Sequence, residues 1–396
     1  MKKKHILIVG GRDHTLDKAD KLGLRYSMIQ QPALFADRQM TSSCRYLLAD
    51  YQSADEVFAV ARAWHAIDPF DAIVSFAEFG MYAASLCAVE LGLPGANLNA
   101  VVYTRDKIMM RDLQQAQGRG GVAYQLCETV SDASAFLQRM DGKPIILKPF
   151  SGGGSAGVSY VPDAAALEAG WEWSRGANGG TILAEEYLDG PEFSVESISR
   201  HGQHEIVMIT EKITTDAPHF IELGHQVPAR LSPSAWAEVS ALVLDFLALV
   251  KQDTAPAHTE IRLTSDGPKI IESQTRIGGD QIWEMAELVS GVDLMGETMA
   301  ALLDLPAPPR APQAAAAAIR FFALENCHVT EVANLEQAAQ AEGVLRLRCE
   351  LQAGQEIGPL TCSDSRQGYV LCTGDTVDAA MRNAEHARVQ VRIETR

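Results

Sequence analysis

The sequence predicts an α/β unit followed by α+β units. A parallel sheet comes first, then a small α+β module, then a large antiparallel sheet. Three observations carry this. The first hundred residues alternate apolar runs with helical stretches, as βα units do. A compact strand–helix–strand unit surrounds a glycine run at "ILKPFSGGGSAGVSYV". Beyond it, "EFSVESISR" and "HEIVMITEKIT" alternate at period two, the pattern of antiparallel strands.

In order, the opening βα rhythm is "HILIVGG", "RYSMIQQ", "RYLLADY", the helix "ADEVFAVARAWHAI", "DAIVSFA" and the helix "MYAASLCAVELG". The turn Gly10-Gly11 lacks the third glycine of a dinucleotide-binding loop. A single helix is expected over "AVVYTRDKIMMRDLQQAQ". The small module reads strand "VAYQLCE", helix "ASAFLQRM", strand "PIILKPF", strand "VSYV", helix "AAALEAGWEW" and strand "TILAEEYL". A long helix, "SAWAEVSALVLDFLALVKQ", precedes a hairpin, "AHTEIRLTSDGPKIIESQTR", turning at Ser265-Asp266-Gly267. "LPAPPRAPQAAAAA" reads as a linker, and a last module holds strand-like "AIRFFAL" and "GYVLCTG" and the helix "TVDAAMRNAEHA".

Composition narrows function. The 396 residues carry a net charge of -17, which argues against a nucleic-acid or anionic-membrane surface. It leaves room for a small phosphate ligand, because screening confines distant surface charge to about 8 Å. No apolar run approaches the roughly 20 residues that span a bilayer, and the basic start leads into a buried first strand rather than a signal peptide. Seven widely spaced cysteines form no C-x-x-C pair and read as reduced thiols of a cytoplasmic protein.

The glycine run fits three motifs at once. Gly152, Gly154 and Gly157 match a dinucleotide fingerprint, and Gly153, Ser155 and Gly157 match the elbow of a serine hydrolase. Both motifs, and the phosphate loop of nucleotide hydrolases, pass from strand into helix. Here a short strand follows and no G-K-[ST] is present. What remains is a glycine-rich hairpin tip that can lie over a polyphosphate and donate backbone N–H groups. The alternative is an ordinary mobile loop, but four glycines are costly to order unless a ligand orders them. Lys148 on the entering strand, and Lys107 on the preceding helix, supply charge for phosphates. "EEYLDGPE" places Glu185, Glu186, Tyr187 and Leu188 at a strand end where backbone groups can read an adenine edge, with Glu192 an acceptor for ribose hydroxyls.

A second constellation lies on the hairpin. Glu260 shares a face with His258 and Arg262, and Glu272 shares one with Gln274 and Arg276. Paired across the strands, these oxygens suit Mg2+ or Mn2+ bridging a polyphosphate. A surface salt-bridge ladder is the alternative. Gly278-Gly279 then allow close backbone approach.

Together these motifs, in this order, resemble the ATP-grasp superfamily and, within it, the L-amino acid ligases, over essentially the whole chain. The resemblance implies an ATP-grasp fold with an N-terminal Rossmann-like domain (1–97), a connecting helix (98–117), a lid with a glycine-rich flap (118–189), a central catalytic domain (190–305) and a C-terminal α+β subdomain (306–396). It implies ATP-dependent joining of two amino acids through an acyl phosphate, with release of ADP and phosphate. ATP would contact Lys107, Lys148, the flap from Ser151 to Gly157, Glu185 to Leu188, and Glu192. Two Mg2+ ions, replaceable by Mn2+, would sit at Glu260 and Glu272. Gln274 stands where the family pattern has asparagine, one methylene shorter. Arg276 would steady the acyl phosphate and the oxyanion.

"PHFIELGHQVPA" looks like the amino-acid-site segment of those ligases. By that match Glu222 meets the substrate ammonium and His225 lies near the reacting carboxyl, both able to serve as general base; a polar strand end is the plainer reading. Asp280 stands where a dipeptide ligase of the family has a tryptophan lining the first substrate's pocket. The added room and negative charge lead us to expect a polar or cationic first substrate, bordered by Gly278, Gly279 and Asp280. The expected partners are small-molecule amino acids, with no nucleic acid or membrane, and the expected assembly is a homodimer. An ATP-grasp ligase for a non-proteinogenic acid and another amine, or a catalytically silent nucleotide sensor, are the competing readings.

Overall fold

The computed structural model describes residues 3–118 and 121–396. The chain opens with β1 (His5–Val9), α1 (Asp13–Lys21), β2 (Arg25–Gln30), α2 (Asp37–Ser42), β3 (Tyr46–Leu48), α3 (Ala54–Ile67), β4 (Ala72–Val74) and α4 (Met81–Leu91). The strands pair in parallel in the order β3-β2-β1-β4, as the βα rhythm predicts. Every residue of β1 is buried because both faces of this sheet are covered. Leu7, Val9, Ile29 and Ile73 pack under α3 and α4, whereas Ile6, Ile8 and Met28 share a core with Met285, Met295 and Met299 of the central region.

The single helix expected over residues 100–117 is two, α5 (Leu98–Arg105) and α6 (Lys107–Ala116). Asp106 between them is extended, and its carboxylate accepts from the N–H groups of Ile108 and Met109 at 2.9 Å each. An aspartate at an N-cap stabilises a new helix start by about 1 kcal/mol, which favours the break. The break sets Lys107 at the first position of α6.

The small module comprises β5 (Tyr124–Cys127), α7 (Val130–Arg139), β6 (Ile145–Pro149), β7 (Ser159–Val161), α8 (Leu167–Asn178) and β8 (Ile182–Glu186), with sheet order β5-β8-β6-β7. β6 and β7 are antiparallel, so a strand does follow the glycines.

The remainder builds an eight-stranded antiparallel sheet. Its elements are β9 (Glu192–Arg200), β10 (Gln203–Thr214), β11 (Glu222–Val227), α9 (Pro233–Leu249), β12 (Ala255–Thr264), β13 (Gly267–Gln274), α10 (Ile282–Ser290), α11 (Leu294–Leu302), β14 (Ala316–Phe321), β15 (Cys327–Ala333), α12 (Leu335–Ala339), β16 (Val344–Cys349), β17 (Glu356–Ile357), β18 (Gly368–Gly374), α13 (Val377–Gln390) and β19 (Arg392–Thr395). The strand order is β13-β12-β9-β10-β11-β14-β18-β16, and β17-β15-β19 form a separate small sheet. α9 covers one face through Val239, Val243 and Phe246, while α13 packs on β14 and β18 through Ala380, Ala384 and Ala387.

α10 and α11 are not anticipated from the sequence, and the alanines after Gln313 do not all belong to a linker. Ala316, Ala317 and Ala318 instead belong to β14 and are buried. Ala317 joins the central core and Ala316 and Ala318 the C-terminal one, so small side chains let both layers approach this strand. Among the described residues no helix is long and apolar enough to cross a membrane, and all seven cysteines are free.

Candidate active site

The glycine hairpin roofs a cavity of about 920 Å3, open to solvent, between the small module and the central sheet. Lys107, Lys148, Gly152, Gly153, Gly154, Ser155, Glu185, Glu186, Tyr187, Leu188, Glu192, Glu222, Glu260 and Glu272 line it. Ser151 and Gly157 do not. Gly157 has a packing reason instead: at φ 74°, a Cβ there would stand 2.7 Å from Pro149 and from Ala177. Gly154 adopts φ 62° at the tip, where its carbonyl accepts from the Ser363 N–H at 2.9 Å. The flap therefore rests on the C-terminal region.

β6 delivers Lys148 to the cavity floor, where its Nζ lies 2.6 Å from Glu185. Glu185 also accepts from Arg111 Nε at 2.7 Å, and Arg111 donates to the carbonyls of Ile270 and Ile271. Arg111 is buried and was not singled out from sequence. Burial pushes the Glu185 carboxyl up, but Arg111 and Lys148 outweigh it and hold it down at about 2. Lys148 is lowered, because burial dominates and two further cations, Arg111 and Lys107, oppose the help from Glu185. Glu185 thus contributes stability that is fully present above its unfolded value, about 4.3, and is lost as pH falls through about 2. Glu185→Gln is expected to lower the urea midpoint at pH 7 and to flatten the acid-induced fall between those values.

Lys107 reaches the carbonyls of Phe150 and Gly152 at 3.4 and 3.5 Å and lies 4.0 Å from Glu272. At the adenine-type edge, the N–H groups of Glu186 and Tyr187 donate to Ala123 and Pro144, and Arg262 takes the Leu188 carbonyl. These groups are therefore already paired within the protein. Glu192 is not a free acceptor either: Lys212 stands 2.6 Å from one oxygen and Arg262 3.2 Å from the other. Arg262 in turn lies over the rings of Phe220 and Tyr187, 4.9 and 5.5 Å from their centres.

Lys212 is the hub that sequence reasoning missed. Its side chain is 1% exposed and contacts Glu192, Glu222 and Glu260 at 2.6, 3.4 and 3.0 Å. Burial would lower its pKa, yet three carboxylates raise it well above the usual lysine value.

The hairpin places Glu260 directly opposite Glu272 and His258 opposite Gln274, through a register shift between Glu260 and Ile261. His258 donates to buried Glu196 at 2.5 Å and approaches Glu260 at 3.4 Å; burial opposes its charge, but Glu196 and Glu260 raise it to about 9. A cation is chemically reasonable here. Gln274 donates its Nε2 to Glu272 at 2.8 Å, while its Oε1 is buried without a hydrogen-bond partner in the protein. Among the described residues no three His, Cys, Asp or Glu side chains form a ready metal cage, so two carboxylates and an amide would share a cation with phosphate oxygens.

The remaining predicted residues fall outside this cavity. Gly278 is needed because a Cβ would stand 2.9 Å from both Glu196 and His258, whereas Gly279 faces open space. Arg276 donates to Glu78 of the N-terminal sheet domain at 2.8 Å and to the Ile277 carbonyl at 2.8 Å. His225, on β11, meets Asp280 at 3.1 Å. Asp280 lines a second cavity, about 690 Å3, with Arg366 and Phe321. The expectation of a free negative charge at Asp280 is corrected here. Arg366 grips both its oxygens, at 2.9 and 2.7 Å, and with His225 holds its carboxyl far below the usual range against the effect of burial.

Comparison with known proteins adds the family. The ATP-grasp domain family matches residues 142–284, and the family described as L-amino acid ligase C-terminal domain 2 matches residues 320–396. Residues 142–284 are thus an ATP-grasp domain. The chain is an ATP-dependent ligase, and ATP-grasp enzymes use ATP and Mg2+. The fold agrees with a crystal structure of an L-amino acid ligase from Bacillus licheniformis, with TM-score 0.84 and 22% identity, covering 100% of this chain and 99% of that one. Among curated proteins, an uncharacterized protein, y4rH, of Sinorhizobium fredii is 22% identical over 90% of this chain and 72% of its own length. An alanine–anticapsin ligase of Bacillus subtilis is 27% identical over 57% of this chain and 52% of its own length. The chain thus spans about half of that ligase.

Proposed function

We propose that this ATP-grasp ligase joins two amino acids, forming an amide through an acyl phosphate. The observation that carries the reading is the continuity from the phosphate-type cavity to Glu222 and on, through Arg366 and Asp280, to His225. A carboxylate is a poor electrophile, and phosphorylation gives it a leaving group. Lys148 and Lys107 are placed to offset charge on transferring phosphates, and positioning supplies much of the remaining acceleration. Glu260 and Glu272, with the unpartnered Gln274 oxygen, are the groups that would hold two Mg2+ ions, or Mn2+ in their place. Bound metal would supply charge neutralisation across the polyphosphate oxygens. In this reading Glu222 would meet an ammonium group, and Glu222 or His225 would accept the proton that the attacking amine must lose. The flap, seated on Ser363, would exclude water from the acyl phosphate.

The test is ADP release across pairs of amino acids, with mass spectrometry of the products. We expect release to require an acid and an amine together and the product to be a dipeptide. Because the Asp280 charge is already neutralised, side chains that are polar and uncharged are expected to serve at least as well as cationic ones. ADP release only with an acid that is not an amino acid would replace this reading with that of a different ATP-grasp ligase. No ADP with any pair would point to a nucleotide sensor.

A further inference from the structure

The short turn Ser363–Ser365 and the residue after it touch the flap and Glu222, and reach His225 through Asp280. The Ser363 N–H holds the flap tip at the Gly154 carbonyl, 2.9 Å away, and its hydroxyl donates to the Glu222 carboxylate. Arg366 fixes the turn from behind: its Nε donates to the Ser363 carbonyl at 2.6 Å and its Nη1 to the Glu222 carbonyl at 3.2 Å. The same guanidinium forks onto Asp280, whose carboxylate accepts from His225 Nε2 at 3.1 Å. It also lies on the Phe321 ring, 3.7 Å from its centre, with its side chain 8% exposed. A buried fork that is bidentate and stacked on an aromatic face has its geometry set on every side, unlike an exposed ion pair.

We propose that Arg366 is a positioning residue that couples seating of the glycine flap to the alignment of Glu222 and His225. This rests on the reading of Glu222 and His225 as the amino-acid site. Its chemical consequence is control of water. When the fork is lost, the flap loses its seat as Glu222 and Asp280 lose their alignment. Water then adds to the acyl phosphate in place of the amine, returning the free acid and inorganic phosphate while ADP is still released.

Two measurements test it on the full chain, with Arg366→Ala and Arg366→Lys, the second keeping the charge but not the fork. The first is the ratio of ADP to dipeptide, expected near one in the native chain and at least about threefold higher in both variants. The second is hydrogen–deuterium exchange with Mg2+ and ADP, which needs no ligation. Peptides covering residues 150–158 and 222–227 are expected to exchange about tenfold faster in both variants, with β1 unchanged. Unaltered exchange in the flap and β11 overturns the proposal, as does an increase that extends equally to β1, and Arg366→Lys decides if Arg366→Ala does not fold. Failure of the native chain to form a dipeptide would sink the ligase reading alone, since exchange still reports whether Arg366 seats the flap.

Discussion

Arg276→Ala is expected to lower amino-acid-dependent ADP release by roughly 10²- to 10³-fold, the usual effect of removing a donor aimed at developing negative charge. Arg276 follows β13 directly, two residues after Gln274 and four after Glu272, so the hairpin that carries the candidate metal ligands also aims this guanidinium. One edge is fixed by Glu78 and the backbone of Ile277, which keeps the planar group from swinging away. Such fixed placement lets a donor act on a transition state without reorganising first. Because Arg276 does not line the cavity under the flap, nucleotide affinity should change by less than about threefold. Turnover and equilibrium binding of a non-hydrolysable ATP analogue separate the two effects. A near-native rate would remove Arg276 from the chemistry. Arg276→Lys is expected to recover little, since a single ammonium cannot keep the Glu78 contact and also serve the reacting oxygen.

What the sequence reveals and what it hides follows from how far each partner lies along the chain. That Glu260 and Glu272 lie on two paired strands is legible from the alternation and the turn, but their facing is not: the turn sets Thr264 against Gly267 and Ile261 against Ile270, and a register shift between Glu260 and Ile261 then brings Glu260 opposite Glu272 instead of Ile271. The flap is legible because strand and helix after a glycine run have different periods. Glu78, Arg111, Lys212 and Arg366 are not legible, since each acts on residues brought near by sheet order or domain packing. Arg366 meets Asp280 across 86 positions of sequence, which is why Asp280 read as a free charge. Lys212 sits in a period-two strand between β9 and β11, in a sheet covered on both faces. On such a strand alternation does not distinguish a solvated lysine from a buried one. Asp106 could have been found: an aspartate two and three positions before capped N–H groups is a helix-start signal inside what read as one helix.

Lys212→Met is expected to cost about 3–5 kcal/mol of stability, the effect of removing one side of a buried ion pair. The loss comes from what is left behind. Glu192, Glu222 and Glu260 converge on a single ammonium that is almost wholly buried, and without it three carboxylates share a dry site. Some would take up protons, and Glu260 and Glu222 would leave the positions from which one could ligate metal and the other meet substrate. Thermal unfolding should therefore shift down while ADP formation falls by more than the folded fraction alone explains. Arginine is a poor replacement, because a planar fork cannot point at three carboxylates as a compact ammonium does. The sign of the pH dependence separates this lysine from an ordinary one. Its folded pKa is raised, so its contribution is complete below the unfolded value near 10.4 and disappears only as pH climbs through the higher folded value. The stability difference between native chain and Lys212→Met should stay level from pH 7 to 9. A difference that vanished within that range would mean that Lys212 is not held charged by its three carboxylates.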